Sequence, residues 1–583
     1  MTSRTSRLIA LIALLHVSTT ANCTSIDPPT AQVQPPGDVQ GWTDQDRQEW
    51  YHTSAGTWLI PYDWFVALQD EPLTARFTAT GILADPTHPD RLPVGIAKTE
   101  SPNLPTPVPF LGLNCAFCHT TQFTYRGATH RIEGGPSLQF NARFLRTLFE
   151  AVADATTPQH FVTFATKVLR QRGQEVTPDT LKAFRNEVTG IMSSLIDRAG
   201  RDISPETWGP GRFDALGRGG NTVFTPLSSD NLRPANAPVS IPALWGVWEY
   251  DRVQWSGSIE HPLARNIAQV IGVNAGLFAW ARTPQPPPTS DADTFRSTVD
   301  VHTLKTLEQL ARRLLPPRWP SAFPPINPDL AARGRDLYHG NPGKQIPNLC
   351  AHCHLGTPID AQGPAGPSRH VHLIEQKEVG TDDLYLENFS RRLVDLRPLG
   401  RGLVSAREAS ELVTTELLKV HRVSDDPEYG HRTNTWIDEA KYIARPHLAV
   451  WATAPFLHNG SIPNLYELLS PVEERHDCFY LSPNMEFDPR HVGYAVADCS
   501  DPPTSRDPLA GFAFNTHLPG NKNIGHEFRD DPTCAREQGK RGGVLGCAIS
   551  QDDRLAIIEY LKTCDLERFV LKDPPPCRDL TSP

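Results

Sequence analysis

Cys115-Ala116-Phe117-Cys118-His119 and Cys350-Ala351-His352-Cys353-His354 are two copies of one pattern, C-x-x-C-H. It is the attachment signature of a c-type haem. Two thiols with two residues between them can reach the two vinyl groups on one edge of a porphyrin and form thioethers. The adjacent histidine then brings its imidazole under the iron as an axial ligand. A redox dithiol has no need of the histidine, and a zinc site needs further Cys or His nearby. Two complete copies point to two covalently bound haem c groups, on Cys115, Cys118 and His119 and on Cys350, Cys353 and His354. The rest of the chain then positions, ligates and electronically connects the irons.

The first residues read as a secretory signal over 1–21. Arg4 and Arg7 form the positive end, Leu8 to Val17 the short apolar run, and Ser18 to Ala21 the small residues for cleavage. The run is too short to span a membrane, and no later stretch is long enough. Periplasmic or secreted localisation follows. Cys23 offers a lipoprotein site as the lesser option, since Asn22 before it fits that signal poorly. Eleven cysteines are present. Four serve haem and Cys23 sits at the processing site. The remaining six (Cys478, Cys499, Cys534, Cys547, Cys564, Cys577) suit three disulfides in an oxidising compartment, and sequential pairing closes the shortest loops. Net charge is −10 with no basic block, which argues against a nucleic-acid partner.

At 583 residues the chain exceeds one core, and its 55 prolines imply long stiff connections. The expected organisation is an extended arm over 22–45, an N-terminal haem domain over 46–315, a proline-rich linker over 316–328 and a C-terminal cytochrome c domain with Cys-rich insertions over 329–583. Trp50, Tyr51, Trp58, Tyr62, Trp64 and Phe65 read as helix core. Residues 123–127 and 131–136 read as a strand or turn pair. Helices are expected over Phe140–Ala155, Thr180–Arg198, from His261 towards Ala275, and over Thr303–Leu315. Gly209 to Gly220 reads as a glycine-rich loop wrapping a haem edge, with Arg212 near a propionate. It lacks the nucleotide-loop pattern. Asp329–Tyr338, the second C-x-x-C-H and a closing helix capped by Ser550 follow the plan of a small cytochrome c domain.

The sixth ligand separates a wire from a catalyst: Met or His gives an electron carrier, an open face meets peroxide or O₂. Beyond Met1 there are only Met192 and Met485. Histidine therefore carries most of this work, with His458, His526 and His130 as candidates and His517 as a fallback. Three tryptophans and a tyrosine within Trp245–Trp255 are a local anomaly; core packing and a role between the haems are compatible readings.

The two motifs, with Pro455-Phe456-Leu457-His458-Asn459-Gly460, resemble the bacterial di-haem cytochrome c peroxidase superfamily, which includes the MauG-type enzymes. Within it, Gly211-Arg212-Phe213-Asp214, Trp255-x-Gly257, Arg265-Asn266 and Gly520 to Phe528 look most like the rubber oxygenase A group. The resemblance implies a mainly α protein of two cytochrome-c-like haem domains, with long Pro/Gly-rich loops and few short strands. It implies a reactive N-terminal haem on His119 and a C-terminal haem on His354 with His526 as second ligand. His458 would lie near the haems, and Trp255, with Trp248 behind it, would stand between them. Three functions compete. The first is a peroxidase taking H₂O₂ and electrons from a donor protein or small reductant, with Glu133 or Glu249 as acid/base. The second is an oxygenase using O₂ on a hydrophobic alkene such as polyisoprene. The third is a non-enzymatic bis-His electron carrier.

Overall fold

A computed structural model describes residues 33–34, 40–69, 77, 79–104, 106–199, 208–275, 290–358, 369–430, 432–502, 511–530, 542–564 and 577. The signal segment, Cys23 and Cys534 lie outside the described residues. Helices supply the longer elements, and the strands run two to six residues.

The first C-x-x-C-H is a single helical turn, Cys115–His119, set between a strand pair and a hairpin. Before it, Phe110–Leu113 pairs antiparallel with Ile96–Thr99. After it, Thr120–Tyr125 folds back on Ala128–Glu133, turning through Arg126 and Gly127, both at positive φ. Asn114 fastens the turn: its Oδ1 accepts from Ala116 N at 3.0 Å, and its Nδ2 donates to the Trp50 and Thr53 carbonyls. Those carbonyls belong to the end of the helix Asp44–His52, which starts with a Thr43–Asp46 capping box. Trp50, Trp58, Trp64 and Phe65 are all buried. Gly95, at φ +81°, lies against the motif backbone, where a Cβ would come 2.1 Å from Phe117 N. Only glycine allows that approach.

The periodic helices form, as Ala142–Ala155, Pro178–Ala199, Pro262–Val270 and Val301–Arg313. The glycine-rich stretch differs from its expected loop. Arg212–Phe213 pairs with Val239–Ser240, and Gly217–Phe224 is a helix. Asp214 makes the switch possible, its carboxylate accepting from Gly217 N at 2.7 Å and Ala237 N at 3.0 Å.

The second C-x-x-C-H hangs on a helix crossing. Pro328–His339, capped by Asn327, packs across Gln551–Leu561, capped by Ser550. Gly334 sits at the crossing, where a Cβ would lie 1.9 Å from Ala556 O. Cys350 N donates to Tyr338 O, suspending the motif turn Ala351–His354 from the first helix. Packing runs across the proline-rich stretch 316–328: Phe323 is buried against Tyr125, Trp451 and Phe487, and the helix Ala406–Val420 lies beside Pro262–Val270 in one apolar cluster. Cys478–Cys499 and Cys564–Cys577 are disulfides. Cys547 is also disulfide-bonded.

Candidate functional site: two cavities with a shared wall

Each C-x-x-C-H forms part of the wall of its own cavity. The first lies beside Cys115, Cys118 and His119. The second lies beside Cys350, Cys353 and His354. Pro242, Ala243, Tyr250, Trp255, Ile443 and Arg445 line both cavities. Hydrogen bonds brace this common wall. Ile443 N donates to Trp255 O at 2.9 Å, Trp255 Nε1 to Ser240 O at 2.8 Å, and Trp245 Nε1 to Leu448 O at 2.7 Å.

His119 is buried in the first cavity's wall, 2% exposed. Burial, the nearby Arg265 and Arg445 charges and, against them, the Pro242 carbonyl leave its pKa at about 3. The imidazole is therefore neutral. Two helices supply the cavity's polar groups at helical spacing: Arg265, Asn266 and Gln269 on one, Glu308 and Arg312 on the other. Glu308 Oε1 accepts from Arg312 at 2.9 Å and Oε2 from Asn266 at 3.2 Å. Burial pushes its carboxyl up despite the Arg312 charge. Trp248 lines this cavity. No methionine and no second histidine line it among the described residues.

The second cavity holds four histidines: His354, His447, His458 and His526. His354 Nδ1 lies 2.8 Å from Arg445 O. A carbonyl accepts only, so Nδ1 carries the proton and Nε2 keeps a free lone pair, the tautomer a metal ligand needs. The His526 ring centroid lies 6.2 Å from that of His354. Two imidazoles sharing one metal, each with a metal–nitrogen bond of about 2 Å plus about 1 Å to the ring centre, stand about 6 Å apart. His526 sits in the left-handed region at φ 45°, and its backbone N donates to Val379 O. Burial first, then the His354 and Arg475 charges, bring it to about 3.

His447 has no counterpart among the sequence-based candidates. It stacks on His354 with centroids 3.9 Å apart, and its Nδ1 lies 3.1 Å from the Tyr338 hydroxyl. His458 is buried against Tyr442, rings 4.2 Å apart. The Tyr442 hydroxyl donates to Asp382 O at 2.5 Å, so His458 Nε2 is the donor in their 3.1 Å contact.

Several expected roles move. Arg212 lines neither cavity; it donates to Asn521 Oδ1 at 2.6 Å and lies over the Phe514 ring. His130 stacks on Phe123 and touches Phe323, outside both cavities. Glu133 is buried elsewhere, accepting from Tyr51 and Thr120, and Glu249 also lies off both linings. Glu308 is the carboxyl side chain that lines the first cavity among the described residues. Met485 Sδ accepts from Ser482 N, and His517 is exposed beside Asp477. Met192 packs on a helix face.

The donor set fits haem c. Cys115, Cys118, Cys350 and Cys353 are free thiols. Burial lifts the first two to about 11 and about 12 and Cys350 to about 12. Among the described residues no group of three or more His, Cys, Asp or Glu is arranged to hold a metal ion by itself. The His119 and His526 Nδ1 atoms are buried without a hydrogen bond of good geometry. Arg265 and Arg445 line the cavities without an ion pair to any described carboxylate, which suits a cofactor that brings its own carboxylates.

The comparisons agree with this chemistry. Over 590 aligned residues the chain is 33% identical to the uncharacterized protein y4iJ of Sinorhizobium fredii (strain NBRC 101917 / NGR234), covering 90% of this chain and 92% of that protein. The chain belongs to the y4iJ family. It is also 26% identical over 284 residues to the uncharacterized protein y4iM of the same organism, covering 47% of this chain and 54% of that one. Residues 441–480 match the family described as RoxA-like, cytochrome c-like. That match relates this y4iJ-family protein to RoxA-like c-type cytochromes and implies haem c. The matched stretch contains Arg445, His447 and His458, so it runs from the shared wall into the second cavity.

Proposed function

We propose that the protein is an exported di-haem c-type cytochrome acting as a redox enzyme, built as two cytochrome-c-like haem domains in a mainly α chain. Cys115, Cys118 and His119 hold one covalent haem. Cys350 and Cys353 would hold the other, with His354 and His526 offering their imidazoles to its iron. The observation that carries this reading is the asymmetry of two cavities joined by one wall: the second offers two imidazoles at metal-sharing distance, and the first offers His119 alone among the described residues. When bound, haem supplies a one-electron iron that meets peroxide or O₂ where one face is open. His354 and His526 present neutral rings to a metal. Trp255, in the wall of both cavities, occupies the position for electron passage, with Trp248 beside the first cavity. Glu308, its carboxyl pushed up by burial and steadied by Asn266 and Arg312, can hand over and take back a proton. His458 supports the wall through Tyr442. A carrier needs a second strong ligand on each iron, and the lining of the first cavity lacks one among the described residues.

The peroxidase-type reaction comes first, because a protonatable acid beside cationic and amide groups suits cleavage of H₂O₂. Electrons would come from a donor protein or small reductant. Dioxygenase cleavage of a hydrophobic alkene such as polyisoprene is the second reading, favoured by the RoxA-like match and by the apolar side chains Leu113, Val270, Leu304 and Leu307 along the first cavity. The disulfides support an oxidising compartment. No helix among the described residues is long and apolar enough to cross a membrane.

The test is a count of covalently bound haem after denaturation, followed by turnover. Two haems per chain, one in a Cys350→Ala/Cys353→Ala variant, and peroxide-dependent oxidation of a reductant are expected. One haem or none in the wild-type chain overturns the proposal. Products from polyisoprene under O₂ without peroxide turnover move the assignment to the oxygenase.

A further inference from the structure

Two deep arginines of this protein, Arg392 and Arg475, are each held by several oxygen atoms of the chain. Arg392 donates to Gly217 O, Asn221 Oδ1 and Asn231 O. Arg475 donates to the carbonyls of Ser470, Asn523 and Gly525 among others. Arg445 is placed differently. It stands in the wall shared by both cavities. Its guanidinium donates to Ala243 O at 2.7 Å and lies 5.9 Å from the Trp255 ring and 6.0 Å from the Tyr250 ring, two aromatics that also face both cavities. It makes no ion pair with a described carboxylate. An enclosed cation without a counter-charge is unfavourable. Ala243 O and the Tyr250 side chain bond it without a counter-charge, and a carboxylate entering either cavity would supply one.

We propose that Arg445 is an electrostatic bridge between the two cofactor sites, pairing its guanidinium with a carboxylate side arm of bound haem at the shared wall and acting on both irons at once. This rests on the two-haem reading above. Three features of the residue support it. Its guanidinium carries the fork that matches a carboxylate. Its backbone carbonyl orients His354, the proximal histidine of the second cavity. Its side chain also lines the first cavity, together with His119. Arg265 offers the contrast: it lines the first cavity only and bonds to Asn266. Arg445 is a positioning residue, not one that touches the oxidant. A fixed positive charge favours the reduced form of a nearby iron, and in a low-dielectric interior its influence extends past its immediate neighbours.

The experiment uses the mature, haem-loaded full chain. Covalent haem is counted first, then both reduction potentials are resolved by spectroelectrochemical titration in wild type, Arg445→Gln and Arg445→Lys. The expected result is that Arg445→Gln lowers both potentials together, while Arg445→Lys, which keeps the charge and loses the fork, stays near wild type. Arg265→Gln is expected to lower the potential of the first site more than the second. Both haems bound in Arg445→Gln with one potential moved, or neither, overturns the bridge. If Arg445→Gln loses haem, Arg445→Lys decides: both potentials near wild type supports the bridge, and a shift of one alone overturns it. A wild-type chain without two haems overturns the two-haem reading, and the bridge with it.

Discussion

Gly334→Ala should destabilise the protein although it replaces glycine inside a helix. Alanine in a helix interior is ordinarily favoured over glycine by roughly 0.5–1 kcal/mol. At position 334 the new Cβ would meet Ala556 O at 1.9 Å and Ala556 C at 2.5 Å, both backbone atoms of the crossing helix. The carbonyl would have to retreat by more than 1 Å to reach even the 3.0 Å that real Cβ contacts respect. Helix backbones yield little, so the pair Pro328–His339 and Gln551–Leu561 must part along its length and loosen Ala331, Tyr338, Ile557 and Leu561. Overpacking of this kind costs about 1–3 kcal/mol. After the helix-propensity gain a net loss of about 0–2.5 kcal/mol remains, and the 1.9 Å approach to a backbone atom puts it in the upper part of that range. Gly190 is the control: it lies within the helix Pro178–Ala199 with nothing within 4 Å of an added Cβ. Gly190→Ala should raise stability by roughly 0.5–1 kcal/mol. Urea midpoints of the three proteins decide the matter. Equal or greater stability for Gly334→Ala would refute the tight crossing that suspends the second C-x-x-C-H.

His526→Ala should remove the low-spin spectrum of the second site while His447→Ala keeps it, because His447 stacks beside His354 instead of standing at metal-sharing distance from it; electron paramagnetic resonance of each variant reads the difference. Glu308→Gln should slow the reaction with peroxide by about 10²–10⁴-fold, and Glu133→Gln should leave it close to wild type, as stopped-flow absorption will show. His458 is held neutral, its pKa brought by burial from 6.5 to about 3. Between those values the unfolded chain binds a proton that the folded chain does not, so stability falls as pH drops through that window. His458→Gln should flatten the fall by up to about 1.4 kcal/mol per pH unit, and unchanged urea midpoint differences between pH 6.5 and 4.5 would count against a neutral His458.

Local features of this fold were legible in the sequence where the information is local. The two C-x-x-C-H turns, the Ser550 cap and the periodic helices depend on neighbours a few residues away, and they stand within a few residues of their expected bounds. Gly217–Phe224 was not legible. Its glycines signal a loop until Asp214, held from Ala237 as well as Gly217, starts a helix there. The site divides along the same line. Glu308 and Arg312 lie four residues apart on one helix, and only the folded chain turns them into a cavity. Arg445 and His447 carry no spacing signature, because their partners Ala243, Trp255, Tyr338 and His354 come from distant segments. His130 lies only eleven residues after His119, but the hairpin turns it towards Phe123 and Phe323, away from both cavities.

The central claim is that one metal site is closed by two histidines and the other is open. The most direct measurement is the resting spectrum of the mature, haem-loaded protein, by electron paramagnetic resonance and visible absorption, before and after peroxide and in the oxidised and half-reduced states. One high-spin and one low-spin iron, with the high-spin signal alone responding first to peroxide, is the predicted result. Two low-spin irons that stay indifferent to peroxide in both states would contradict it and leave an electron carrier.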